Sequence, residues 1–153
     1  PQSQSVLGGN ERVSMFSLKK GDRVGAFFVE SVYIDPRTSE QFNITYSGEV
    51  IVRGVPVSDG LHVCFNVFEE DKSKLPVVKE QIYGEHGQFC FSDADAAGQI
   101  LLGKSRTDES FYDAINEFLK SQQHMTILIK SYAEGQRFNQ YPAFTAELVN
   151  IVN

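Results

Sequence analysis

Phe42-Asn43-Ile44-Thr45-Tyr46-Ser47-Gly48-Glu49-Val50-Ile51-Val52-Arg53 is the stretch on which the fold turns. Phe42, Ile44, Tyr46, Val50 and Val52 stand at even positions together with Gly48, and Asn43, Thr45, Ser47, Glu49 and Arg53 at odd ones; Ile51 alone breaks the rule. Successive side chains of a strand point to opposite faces, so this period of two over 41–53 predicts one long, half-buried strand. Gly48 lies on the inward face near its middle. A glycine there removes a side chain from the concave surface and lets the strand bend sharply. A long bent strand is what a small closed barrel needs, because it can serve both halves.

Upstream, Leu18-Lys19-Lys20-Gly21-Asp22-Arg23 has the make-up of a turn. Residues 24–34 follow, apolar on both faces (Ala26 and Phe28 on one, Phe27 and Val29 on the other), which predicts a covered strand. Asp35-Pro36-Arg37-Thr38-Ser39 then reverses the chain. Downstream, a Ser58-Asp59-Gly60 turn leads into a strand over 61–68. The mixed charges of 69–79, with Pro76 among them, predict a solvated loop, and 89–91 a short strand. Ser92 with Asp95 three residues on signals a helix that Gly103 ends. Phe111, Ala114, Ile115, Phe118 and Leu119 recur at helical spacing behind a cap at Thr107 or Asp108. The final third predicts a hairpin: a strand over 125–132, a polar loop over 133–142 and a strand over 144–152.

From residue 41 the elements therefore run strand, strand, strand, helix pair, strand, strand. This order resembles the OB-fold, a five-stranded Greek-key barrel with its helix between the third and fourth strands. The expected fold is mainly β with one or two helices (α+β): a small closed or partly open antiparallel barrel, OB-fold-like, with an extra N-terminal strand. A mobile segment over 1–10 precedes one barrel-like domain over 11–153.

Composition narrows the function. With 153 residues, 41% hydrophobic and 22% charged, the chain can bury a core and needs no metal to fold. No apolar run approaches the 18 residues of a membrane-spanning helix. Fourteen basic against twenty acidic residues give a net charge of −6, which argues against a general phosphate-backbone binder. The chain begins at Pro1, and polar Pro1-Gln2-Ser3-Gln4-Ser5 has the look of a segment left after signal-peptide removal, or equally of a cut end. A periplasmic or secreted location is the expectation, with a cytoplasmic one as the alternative.

Cys64 and Cys90 are the two cysteines. Alternation puts Cys64 with His62 and Asn66, away from Val63, Phe65 and Val67, and puts Cys90 with Gln88, away from Phe89 and Phe91. If their strands are neighbours the two can form a disulfide; if not, they are separate reduced thiols.

Catalytic signatures are missing. The chain has no P-loop, G-x-G-x-x-G, G-x-S-x-G, H-E-x-x-H or C-x-x-C. Asp93, Asp95 and Gly98 have calcium-loop spacing, but Ala97 and Lys104 stand where ligands are required, so helix capping accounts for the acids. His62, His86 and His124 lack a convincing ligand spacing, so no metal and no cofactor are expected. Basic and aromatic residues mingle in one place, the last hairpin: Lys130, Tyr132, Arg137, Phe138 and Tyr141. These are the candidate binding residues. The expected function is a non-enzymatic binding module, exported, that holds a protein or glycan partner through the barrel face and the 133–142 loop. The alternative is a cytosolic OB-type single-stranded nucleic-acid binder, which the net charge disfavours.

Overall fold

The bent ribbon around Gly48 is present. The computed structural model describes residues 12–58, 61–136 and 142–153. The expected mobile segment over 1–10, and Asp59 and Gly60 of the expected turn, lie outside the described residues. Eight strands belong to one sheet: β1 (Arg23–Val24), β2 (Phe27–Ile34), β3 (Phe42–Ser47), β4 (Glu49–Ser58), β5 (Val63–Val67), β6 (Gln88–Phe91), β7 (Met125–Gln136) and β8 (Phe144–Val152). Helices α1 (Ala94–Leu102) and α2 (Phe111–Lys120) fall between β6 and β7. The protein is thus mainly β.

Gly48 divides the predicted long strand into β3 and β4. Its φ of +113° lies where a side chain is disfavoured, so the chain turns there without strain. Phe42, Ile44, Tyr46, Val50 and Val52 are all buried, as the alternation predicts. Both halves pair antiparallel with β7: Phe42–Thr45 face Gln136–Ala133, and Glu49–Gly54 face Lys130–Met125. The register slips by one residue between them, and Ser131 of β7, opposite the bend, takes a φ of +54°. Bend and bulge match across the ladder.

The sheet curls far enough that part of it closes into a ring. β4 pairs with β5, β5 with β6, β6 with β8, β8 with β7 and β7 with β4, every pairing antiparallel except β6–β8. Phe65, Phe89, Ile127, Ile129 and Tyr132 are fully buried in one continuous core, and α1 and α2 pack against β4, β5 and β8. Gly54 permits the β4–β5 approach: a Cβ there would lie 2.0 Å from the Asn66 carbonyl oxygen. Cys64 and Cys90 are cross-strand partners and form a disulfide.

Several local expectations are corrected. Residues 24–34 split into the tight β1–β2 hairpin, and β2 is covered on one face only: Phe27 and Val29 are buried, but Phe28 is 46% exposed beside the Arg23 guanidinium. The 69–79 connection is not simply solvated. Its 3-10 helix Glu69–Lys74 buries Asp71, whose carboxylate accepts from the Arg53 backbone N–H (2.9 Å) and guanidinium (3.1 and 3.4 Å), and Leu75 and Val78 join the core. Helix α1 is capped by Asp93, one residue after Ser92, through a bond from the Ala96 N–H. Ser110, not Thr107 or Asp108, stands at the cap of α2, and Asp108 accepts from its N–H and hydroxyl.

Candidate functional site

The polar loop expected over 133–142 is shorter than that, because β7 runs on to Gln136. Before Ser131, the buried residues of β7 are odd-numbered (Ile127, Ile129); after it they are even-numbered (Tyr132, Glu134, Gln136). The bulge reverses the parity. A polar sequence that reads as loop thus becomes a strand whose polar side chains face inward.

Tyr132 shows the consequence. A candidate binding aromatic in sequence, it is 0% exposed and lies at the hub of the core. Its ring sits 5.4 Å from Phe27, 5.9 Å from Phe89 and 6.2 Å from both Tyr46 and Phe144. Among the described residues no hydrogen bond reaches its hydroxyl. A buried, unpartnered hydroxyl costs about 1–3 kcal/mol, so Tyr132→Phe is expected to raise stability by about 1 kcal/mol, read from chemical denaturation. A loss of stability would show that the hydroxyl has a partner.

Lys130 is on the surface, but its charge is matched. It stands in register between Glu49 of β4 and Glu147 of β8, with Nζ 3.6 Å from the Glu147 carboxylate. Arg137, Phe138 and Tyr141 lie outside the described residues. The structure therefore places one of the five candidates in the core and one in a cross-strand ion pair.

Glu134, Gln136 and Gln81 form the polar framework that sequence reasoning missed. Glu134, 1% exposed, accepts a short hydrogen bond from the Tyr46 hydroxyl and another from the Val78 N–H at 3.2 Å. Burial pushes its carboxyl up to about 7, against the downward pull of those two donors. Gln136 Oε1 accepts from the Ile82 N–H at 2.8 Å, and its Nε2 donates to the Glu40 carbonyl at 3.2 Å. Gln81 Nε2 donates to the carbonyls of Tyr83 (3.0 Å) and Gly135 (3.1 Å). These bonds fasten the 75–83 segment across the end of β7. The one signal available is the alternation of Glu134 and Gln136 with Ala133 and Gly135, which in sequence has the composition of a loop.

Pinned in this way, the segment projects two side chains outward: Ile82, 70% exposed, and Tyr83, 61% exposed. Next along the chain, Gly84, Glu85 and Gln88 line a cavity of about 270 Å³ with Pro142–Phe144, and the Cys90 side of the disulfide is in its wall.

Neither cysteine can ligate a metal, since both are in the disulfide. His86 Nε2 lies 2.9 Å from the Leu75 carbonyl, burial lowering the pKa of its ring, and His124 packs edge-on against Phe68. Among the described residues no three His, Cys, Asp or Glu side chains converge as a metal site, and no helix is long and apolar enough to cross a membrane. The chain matches no protein-family model, no curated protein and no solved structure.

Proposed function

We propose that this protein is a non-enzymatic binding module that holds a protein or glycan partner at the rim formed by 82–88 and 142–144. The observation that carries this reading is the Ile82–Tyr83 pair: two large apolar side chains exposed in succession on backbone fastened by Gln81 and Gln136. An exposed apolar pair on a rigid backbone has little conformational entropy left to lose on binding, which favours recognition. Arg137, Phe138 and Tyr141, which lie in sequence between Gln136 and Pro142, are further candidates for contact with the partner. The ring order β4-β5-β6-β8-β7, its one parallel pairing and the helices between β6 and β7 support an OB-like barrel as the scaffold. A disulfide in a domain of this size supports an oxidising, exported location. The same bridge, and the pairing of Lys130 with Glu147, count against the cytosolic nucleic-acid alternative.

The test compares wild type with Ile82→Ala/Tyr83→Ala, both immobilised and matched in melting temperature, against exported-fraction proteins and a glycan panel. Central aromatic and aliphatic anchors typically contribute 1 kcal/mol or more each, so the double variant is expected to weaken retention of the wild-type partner by at least about tenfold. Equal retention by both proteins would move the site elsewhere. Salt-sensitive binding of a single-stranded oligonucleotide would favour the alternative.

A further inference from the structure

We propose that Glu134 is a proton-controlled latch: with its proton on, it keeps the 75–83 strap and the N-terminal segment laid over it closed against the barrel, and losing the proton loosens them.

The strap is not a strand of the sheet. Side chains of β7 hold it: Glu134 Oε1 takes the Val78 N–H, Gln136 Oε1 takes the Ile82 N–H, and Gln81 reaches back to the Gly135 carbonyl. The N-terminal segment is fastened to the strap in turn. Val13 bridges Val78 in parallel, the Lys79 N–H donates to the Val13 carbonyl at 2.9 Å, and the Glu80 carboxylate takes the Ser14 hydroxyl (2.6 Å) and the Met15 N–H (2.7 Å). Freeing Val78 therefore unfastens two layers.

Four other ionisable groups act on Glu134. From β3 the Tyr46 hydroxyl donates to it; on β7 itself Tyr132 is its neighbour; on the strap Glu80 opposes its charge; and Arg12 of the N-terminal segment favours it. Among the described residues no cation forms an ion pair with it. His86, which follows the strap and bonds to the Leu75 carbonyl at its start, has its pKa lowered by burial and gains no charge as pH rises. When protonated, Glu134 can keep the Val78 bond through Oε1 and donate its own proton from Oε2 to the Tyr46 oxygen. When ionised, it is a buried charge with two donors and, among the described residues, no ion-paired cation, and opening the strap admits water to it.

The size of the effect follows from linkage. The carboxyl titrates near about 7 when closed and near 4.5 when exposed. The open-to-closed ratio should then rise about 30-fold between about pH 5.5 and 8.5, the ordinary consequence of unequal proton affinities. Native-state hydrogen exchange, corrected for intrinsic rates, reads this directly and needs no partner, so it is independent of the binding proposal. Protection of the Val78 and Lys79 amides is expected to fall about 30-fold over that range in wild type, at every pH from a level below that of the 126–130 ladder of β7, which opens only with the whole fold. In Glu134→Gln it should be flat. Tyr46→Phe removes a donor to the carboxylate and should move the fall to higher pH. Flat protection in wild type, the same slope in Glu134→Gln, or strap amides protected to the same level as the β7 ladder, and so opening only with the whole fold, would each overturn the latch.

Discussion

Replacing Cys64 and Cys90 together by alanine is expected to lower stability by about 3.5 kcal/mol. The bridge joins residues 26 apart in sequence. On the chain-entropy model, closing a loop of that length in the unfolded chain accounts for a figure of this size. For a domain of about 150 residues the loss corresponds to a fall in melting temperature of about 10 °C. The bridge also ties β5 to β6 where the ring is thinnest, since β6 meets β8 through only Cys90–Thr145 and Phe91–Ala146. Loosening β6 should thus free the closure as well as the unfolded chain. Thermal melts of the double variant, and of wild type with and without reductant, check this. The variant and the reduced protein should agree, and thiol titration should find two thiols only after reduction. An unchanged melting temperature would mean that the ring holds without the bridge.

Stability should also decline as pH rises through neutrality, and Glu134→Gln should abolish that decline. The folded pKa of Glu134, about 7, lies above the ordinary 4.5, so between those values the folded state holds a proton that the unfolded state has lost. Its contribution is fully present below about pH 4.5 and is lost as pH rises through about 7, a total of about 3 kcal/mol at 1.36 kcal/mol per unit. The glutamine variant, neutral throughout, should therefore melt higher than wild type at pH 8 and match it more closely near pH 5. The acids with lowered pKa act outside this window. Hydrogen bonds from Arg37 to Asp35, from Arg53 to Asp71 and from Ser110 to Asp108 hold those carboxyls below 3.8, so their support is lost only in stronger acid. Denaturant midpoints from pH 5 to 9 for the two proteins settle the matter. Parallel curves would place the buried proton elsewhere.

The parts of the fold legible in sequence are those governed by one local period. Phe42 to Val52 sorted themselves by even and odd number, the Cys64 and Cys90 parities allowed the bridge that formed, and Phe111, Ile115 and Leu119 marked the buried face of α2. Errors of one to three residues at the helix caps arose because Ser92, Asp93, Asp108 and Ser110 all have side chains able to cap. The candidate site was legible only in outline. The last hairpin is beside the rim, but Tyr132 is a core residue and Glu134 and Gln136 are structural acceptors.

Sequence alone determined which faces of β3, β4, β5 and α2 turn inward, because alternation and helical spacing depend on near neighbours and on water. Tertiary structure decided the parity of β7 beyond Ser131, the burial of Glu134 and the seating of the 75–83 strap. A bulge takes its position from the strand it must match, here the bend at Gly48, more than eighty residues earlier in the chain. A polar side chain can be buried only where donors from distant segments are already waiting, and no local pattern records them.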